Sequence, residues 1–238
     1  MPFPRAIDYH KPGTPEVPNG LGVIYVLISS AYLFALRASH YFLGFPSLEV
    51  AEGALTLAAC ILFGGFLGLL DDWMDLRWRY KALTPLLASL PLVALRQGNP
   101  KMATYFFGKV DFGPFYYVAI APAIVTVTTN TVNQLGGLNG LETLCPLVVM
   151  IALSLATVLG PAKAVVPEMA LLLVVPMVAL AILAIFNFSG RIFVGNVGTF
   201  SAGITLASYA IVANVEQALL ISILPLSLIH ISEPTRPY

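Results

Sequence analysis

Long apolar stretches, separated by short polar loops, run along most of the chain. Each approaches the roughly 20 apolar residues that a helix needs to cross a bilayer. Seven candidate spans lie at about 21–43, 50–70, 82–96, 113–131, 143–160, 166–187 and 199–214. A further apolar run begins at Gln217. The pattern therefore predicts an all-α polytopic membrane protein with about seven transmembrane helices.

The composition agrees with this prediction. Of the 238 residues, 58% are hydrophobic and 10% are charged, and the mean hydropathy is +0.86. Soluble domains are about 45–50% apolar and about 25% charged. The 12 basic residues equal the 12 acidic ones in number, so no positive field indicates nucleic-acid binding. Cys60 and Cys145 lie in apolar stretches without a CxxC pattern, and we expect them to be inert packing residues.

The strongly polar loops all fall on one side when successive loops are assigned to alternate membrane faces. Their sequences are LLDDWMDLRWRYK, TNTVNQLGGLNGLE and SGRIFVGNVGTF. This side has the larger share of Arg and Lys, which is typical of cytoplasmic loops. The opposite loops, among them 161–165, contain nothing comparable. Polar groups gathered at one face favour an enzyme, since a transporter more often places them in the middle of the membrane.

The first polar loop contains three carboxylates at the end of the second span. Asp71 and Asp75 are four residues apart and would share a helix face. Clustered carboxylates suit Mg²⁺, which prefers oxygen ligands, and Lys81 would neutralise a pyrophosphate as a point charge. The alternative interpretation is a solvated loop of helix-capping aspartates followed by cytoplasmic basic residues.

The second polar loop, residues 130–142, contains three Asn, three Gly and one Glu. Glycines allow positive φ angles and a close approach of the backbone to a ligand. Asn130 and Asn133 would share a helix face, and backbone N–H groups in such a turn can hold a phosphate. An ordinary turn that ends a helix is the alternative.

The third polar loop, residues 191–200, has another glycine-rich turn between two spans. Phe193 within it would stack on a planar base or, alternatively, anchor the chain at the membrane interface. Taken alone, this loop does not distinguish the two.

These three motifs, in this order and spacing, resemble the polyprenyl-phosphate N-acetylhexosamine-1-phosphate transferases of glycosyltransferase family 4. The resemblance is greatest to the branch that makes dolichyl-pyrophosphate-GlcNAc, and it covers nearly all of residues 8–225. The segment HKPGTPEVPNGLG also resembles the family's loop before its second helix. The resemblance implies a bundle of about ten transmembrane helices. It also implies that a lipid phosphate attacks the β-phosphate of a UDP-sugar and that UMP leaves, the first step of lipid-linked glycan assembly.

The resemblance further implies roles for individual residues. Asp71 and Asp72 would be the acidic pair, with Asp71 placing or deprotonating the lipid phosphate. Lys81 would neutralise pyrophosphate charge. Mg²⁺, with Mn²⁺ as the alternative metal, would lie near Asn133 and Asn196. The substrate-binding residues would be Asn130, Gly137, Asn139, Glu142 and Phe193, the last stacking on the uracil.

One position departs from the family pattern, and another distinguishes between its branches. The family has Asp where this chain has Asn196, which keeps a carbonyl oxygen but no negative charge. We expect weaker metal binding, or compensation by a carboxylate of the first loop. Gly136 stands where the bacterial cell-wall branch usually has Asp, which favours the dolichol-type or archaeal branch.

The implied partners are a UDP-N-acetylhexosamine, a polyprenyl or dolichyl phosphate and membrane lipid, without nucleic acid; a homodimer stays open. The expected location is the plasma membrane of an archaeon or bacterium rather than the endoplasmic reticulum, with a cytoplasmic active site. The corresponding domain is 1–225. Residues 226–237 match the translation of a transposase-type sequencing adapter, so we expect 226–238 to be an artefact. We further expect a fragment without the first and last helices, inactive on its own.

Three other interpretations stay open. An intramembrane prenyltransferase also uses a DDxxD motif, which Asp71, Asp72 and Asp75 match, but it has a second Asp-rich motif that this chain lacks. A transporter would show internal repeats. A non-catalytic paralogue would explain Asn196.

Overall fold

The computed structural model describes residues 4–8, 11–104, 108–160 and 166–232. The predicted loop 161–165 and the final part of the predicted adapter segment, 233–238, lie outside the described residues. The helices are α1 (Gly22–Leu43), α2 (Leu48–Met74), α3 (Trp78–Ala88), α4 (Leu90–Ala94), α5 (Ala121–Asn133), α6 (Leu141–Leu159), α7 (Leu171–Phe188), α8 (Gly195–Val212) and α9 (Glu216–Ser232). A π-helical turn, Tyr116–Ile120, precedes α5, and a 3₁₀ turn, Pro167–Ala170, precedes α7.

Two short antiparallel hairpins accompany the helices. β1 (Arg5–Ile7) pairs with β2 (Glu16–Pro18) ahead of α1, and β3 (Lys101–Thr104) pairs with β4 (Gly108–Asp111) between α4 and α5. Neither closes into a larger sheet among the described residues. The prediction of an all-α polytopic membrane protein is confirmed.

Four helical segments of the described chain are both long and apolar enough to cross a membrane. They are Gly22–Leu43, Leu48–Met74, Leu141–Leu159 and Pro167–Phe188. The count of about seven spans therefore stays a prediction. So does the domain end at 225, which lies within α9.

The predicted span 82–96 is wrong as a single helix. The chain forms α3 and α4 instead, separated at Ser89. Pro91 lies in the first turn of α4, where a residue without an N–H group is tolerated because that group would have no partner inside the helix. Pro85 already interrupts the hydrogen bonds of α3. Apolar content alone did not reveal this break.

Helix α8 lies at the centre of the bundle, because every side chain from Val197 to Val212 is buried. Two glycines let its neighbours approach closely. A side chain at Gly22 of α1 would overlap the backbone of Gly198, and one at Gly68 of α2 would overlap the backbone of Asn196. Both close approaches involve the first turn of α8, so they fix its position relative to α1 and α2.

Candidate active site

The first polar cluster joins the end of α2, the start of α3 and the start of α8. We call Asp71, Lys81 and Asn196 the charged cluster. Asp71 is buried, and its Oδ2 lies 2.5 Å from Nζ of Lys81. The same ammonium group donates a hydrogen bond of 3.1 Å to Oδ1 of Asn196. A carboxylate oxygen and an amide oxygen from different helices therefore converge on one cation.

Asp72 points to a different partner from that of Asp71. Its Oδ1 accepts a hydrogen bond of 3.0 Å from the backbone N–H of Asn196, and its Oδ2 accepts one of 3.0 Å from that of Val197. The first N–H groups of a helix have no partner within it, and the helix dipole favours a carboxylate there. Gly195 has a φ of 71°, and a side chain on it would lie 2.8 Å from the Asp72 carboxylate. Asp72 thus secures α8 to α2.

Asp75 does not share a helix face with Asp71, so that prediction is wrong. α2 ends at Met74, and Asp75 adopts a left-handed conformation with a φ of 48°. Its side chain is exposed. The backbone turns at Asp75, so this residue lies beyond the end of α2 and not on the helix face of Asp71.

Two asparagines of α5 lie beside the charged cluster. Nδ2 of Asn130 donates to the carbonyl of Ala82 at 2.9 Å, which ties α5 to α3 next to Lys81. Oδ1 of Asn133 accepts a hydrogen bond of 2.7 Å from Oγ1 of Thr199, which ties α5 to α8. The structure therefore brings both predicted residues to the site region, where each holds a neighbouring helix.

The second polar cluster is built around Glu142, in the first turn of α6. We call Gly137, Glu142, Asn187 and Val194 the amide cluster. Oε1 of Glu142 accepts hydrogen bonds from Nδ2 of Asn187 at 2.6 Å and from the N–H of Val194 at 2.9 Å. Its Oε2 accepts one from the N–H of Gly137 at 2.9 Å. The buried carboxylate is thus engaged by three loops or helices of the protein itself.

Asn187 was not among the site residues predicted from the sequence. Its Oδ1 accepts hydrogen bonds from the N–H of Gly140 at 2.8 Å and from Oγ1 of Thr143 at 3.0 Å, while Nδ2 also donates to the carbonyl of Ile192 at 2.9 Å. It is the only amide side chain in the predicted span 166–187. An isolated amide at the end of such an apolar stretch, close to a glycine-rich loop, was the signal available.

The segment before α1 also reaches the site. Nδ2 of Asn139 donates to Oδ2 of the fully buried Asp8 at 2.7 Å. Nζ of Lys11 lies 3.6 Å from the same carboxylate oxygen and donates to the carbonyl of Gly190 at 2.7 Å. This network joins the second and third polar loops to the β1–β2 hairpin region. Sequence reasoning did not single out Asp8.

Phe193 is buried, with 4% of its surface exposed. Its N–H donates to the carbonyl of Pro18 at 2.9 Å, and its own carbonyl accepts a hydrogen bond from the N–H of Leu21 at 3.3 Å. Little of the ring is open to a ligand in this conformation. Stacking on uracil stays a prediction, and it requires that the ring be uncovered.

Oxygen ligands suited to a divalent cation are present in the charged cluster. No group of three or more His, Cys, Asp or Glu side chains gathers as a metal site in the part of the chain that the structure describes. Asp71 and Asn196 nevertheless direct one oxygen each at a common cation, Lys81. Mg²⁺ usually takes one or two protein carboxylates and completes its shell with water and substrate phosphates. The donors present therefore fit a Mg²⁺ ion that relies on substrate for further ligands.

Comparisons with known proteins show which family the chain resembles. The sequence model of glycosyl transferase family 4 matches residues 54–214. A Saccharolobus solfataricus protein with the provisional name UDP-N-acetylglucosamine–dolichyl-phosphate N-acetylglucosaminephosphotransferase is 32% identical over 223 residues, covering 92% of this chain and 65% of that protein. The protein of that name from Dictyostelium discoideum is 28% identical, covering 92% and 62%. The phospho-N-acetylmuramoyl-pentapeptide-transferase of Streptococcus thermophilus is 28% identical, covering 89% and 62%. The chain thus spans less than two thirds of the length of these relatives.

Proposed function

Because the chain belongs to glycosyl transferase family 4, we propose that it transfers N-acetylglucosamine 1-phosphate from UDP-GlcNAc to a dolichyl or related polyprenyl phosphate. An oxygen of the lipid phosphate forms a bond to the β-phosphorus of UDP-GlcNAc. The bond from that phosphorus to the bridging oxygen breaks, and UMP leaves with the bridging oxygen. The product is a lipid pyrophosphate linked to GlcNAc. The names of the relatives support this substrate pair.

The charged cluster is the observation on which the proposal rests. Phosphoryl transfer depends mainly on positioning and on neutralising negative charge. Lys81 supplies a positive charge held by Asp71 and Asn196. Asp71, as the carboxylate nearest this cation, would orient the lipid phosphate or accept its proton. Asp72 acts as a positioning residue, because both of its oxygens hold the first turn of α8.

Mg²⁺ is part of the proposal. Asp71 and Asn196 would hold the ion with Asn133 nearby, while the Lys81 ammonium group, released from these two oxygens, would neutralise the pyrophosphate. The ion would add to that charge neutralisation. Mn²⁺ would serve as the alternative. We place the site at the cytoplasmic face, on the strength of the Arg and Lys distribution between the loops. The short loops and the archaeal relative support the plasma membrane of an archaeon or bacterium. A homodimer remains a prediction.

An intramembrane prenyltransferase fits less well. Its DDxxD motif requires the first and last carboxylates to act on one metal-bound pyrophosphate. In this chain Asp75 lies beyond the end of α2 and is exposed, whereas Asp71 is buried against Lys81.

The test measures transfer in membranes that contain the complete reading frame from which this sequence derives. Labelled UDP-GlcNAc is supplied with dolichyl phosphate, and lipid-extractable label and UMP are quantified. We expect both products to require both substrates. Lys81→Met should lower the rate at least about 100-fold, as the loss of one electrostatic contact to a transition state does. The control, Lys101→Met, alters a lysine of the β3–β4 hairpin and should have no effect. Label transfer without the lipid phosphate would contradict the proposal.

A further inference from the structure

The turn from α2 to α3 exposes an unusual set of side chains. Trp73 is 82% exposed, Trp78 76% and Tyr80 65%. Arg77 and Arg79 alternate with these aromatic residues and are exposed as well. Arg77, Trp78, Arg79 and Tyr80 line an open hollow of about 440 Å³. We call residues 73–80 the aromatic–basic turn.

The length of α2 places this turn at the level of the lipid headgroups. The helix has 27 residues. At about 1.5 Å per residue it extends for about 40 Å, whereas the hydrocarbon core of a bilayer is about 30 Å thick. Because the charged residues Asp71 and Asp72 lie near its C-terminal end, the last turns of α2 are the part that leaves the hydrocarbon. Trp and Tyr prefer this interfacial depth, and Arg side chains extend their charge towards it.

The two arginines are free to bind a ligand. Neither forms an ion pair with any residue in the described part of the chain. The neighbouring Asp71 is neutralised by Lys81, and both Asp72 oxygens accept backbone hydrogen bonds. Asp72 and Asp75 are the negative groups beside the two guanidinium groups, but the Asp72 carboxylate is directed at the first turn of α8, and the hollow lined by residues 77–80 presents only positive charge. The start of α3 also has no side-chain cap, and the positive end of its dipole adds to this field.

We propose that Arg77 and Arg79 bind the phosphate groups of anionic phospholipids of the surrounding bilayer, while Trp73, Trp78 and Tyr80 insert beside those headgroups. A guanidinium group matches the geometry of a phosphate and can bind it through two parallel hydrogen bonds. The bound lipids anchor the α2–α3 turn, to which Asp71 and Lys81 belong. This proposal does not depend on the transferase reaction, because its ligand is the bilayer itself.

The chain provides its own probe for the test. Trp73 and Trp78 are its only two tryptophans, so its intrinsic tryptophan fluorescence comes entirely from this turn. The 238-residue chain is reconstituted in phosphatidylcholine without polyprenyl phosphate, and increasing fractions of brominated phosphatidylglycerol or brominated phosphatidylcholine are added. Bromine quenches tryptophan only at close range. We expect the anionic lipid to be preferred roughly fivefold, since one net arginine charge at an anionic surface has about that effect.

Three variants test whether the lipid preference comes from the charge of the arginines or from the conformation of the turn. Arg77→Gln/Arg79→Gln should quench equally with both lipids, whereas Arg77→Lys/Arg79→Lys should keep most of the preference. Arg191→Gln changes another exposed arginine, in the third polar loop, and should leave the preference intact. Unchanged quenching by brominated phosphatidylcholine shows that each variant is inserted with the turn at its native depth.

Equal quenching by both lipids in the unaltered chain would overturn the proposal. So would a preference that persists in the glutamine variant. Inorganic phosphate, added at matched ionic strength, should not remove the preference. If it does, the arginines bind a soluble anion and the lipid assignment is wrong.

Discussion

The charged cluster and the amide cluster both contain a buried carboxylate, but they use it differently. Asp71 has one side-chain partner, the ammonium group of Lys81, whose side chain is 27% exposed. Glu142 accepts three hydrogen bonds from the protein, two of them from backbone N–H groups. A substrate or metal can replace Lys81 as the partner of Asp71 without breaking the fold. Nothing can replace the partners of Glu142 without moving a loop.

The difference indicates a division of tasks. Asp72 and Glu142 hold the residues at the start of α8 from two sides, through Asn196, Val197 and Val194. Together they fix the position of Asn196, whose amide oxygen belongs to the charged cluster. The amide cluster therefore maintains the shape of the site, and the charged cluster is available for chemistry.

The same type of substitution in each cluster tests this division, and the largest effect is expected from Asp71→Asn. Transfer should fall about 10³-fold, because in the proposed reaction the variant removes a charge that would face the reacting phosphates. The melting temperature should change little, since Lys81 can turn its ammonium group into water. The measurement is kcat/KM with UDP-GlcNAc, together with a thermal unfolding curve. An active variant would remove Asp71 from the chemistry.

Glu142→Gln, unlike Asp71→Asn, should mainly lower the melting temperature. A glutamine oxygen can keep the bonds from Asn187 and Val194, but its buried NH₂ group then faces the N–H of Gly137 and has no acceptor. An unsatisfied buried group costs about 1–3 kcal/mol. We expect a clear fall in melting temperature, with loss of transfer arising mainly from the altered loop. A normal melting temperature with abolished transfer would place Glu142 among the reacting groups and break the comparison.

The convergence of the three polar loops was predictable, whereas the partners of each side chain were not. The three polar loops contact one another, through Asp72 with Asn196 and Glu142 with Val194, as the sequence predicted. Asp71 and Asp72 were expected to act as a pair, yet neighbouring residues on a helix point about 100° apart. Asp71 therefore contacts α3, and Asp72 contacts α8.

Long-range partners account for most of what the sequence did not reveal. Asn187 satisfies groups in two separate segments, residues 140–143 and the third polar loop at Ile192, and no periodic pattern indicates such contacts. Asp8 lies in a polar, proline-rich stretch that resembles an ordinary loop, but it is fully buried against Asn139. Periodicity describes how a residue faces its own helix, not which other segment will complete its hydrogen bonds.

Asn196→Asp should have a smaller effect on transfer than Asp71→Asn, and it tests whether the charged cluster binds Mg²⁺. A second carboxylate in the charged cluster should strengthen Mg²⁺ binding, because Mg²⁺ prefers carboxylate oxygens. We expect half-maximal transfer at an about tenfold lower Mg²⁺ concentration, which corresponds to about 1.4 kcal/mol. Asn99→Asp is the matched control, an exposed asparagine whose oxygen accepts the Lys101 N–H at 2.9 Å and should keep doing so as a carboxylate. An unchanged Mg²⁺ profile for Asn196→Asp would remove this residue from the metal site.

Phe193→Leu should give the smallest effect, because the backbone of Phe193 supports the loop while only its ring is predicted to contact the substrate. Its backbone bonds to Pro18 and Leu21 belong to the scaffold, whereas its predicted stacking on uracil belongs to the substrate site. Stacking of an aromatic ring on a base contributes about 1–3 kcal/mol, and only 4% of this ring is exposed. We therefore expect the KM for UDP-GlcNAc to rise about fivefold, at the low end of that range, with kcat unchanged. Binding of UMP should weaken to the same degree, while binding of ribose 5-phosphate, which has no base, should not change. Equal losses for both ligands would mean that leucine has disturbed the loop packing, and Phe193 would then belong with the scaffold of the amide cluster.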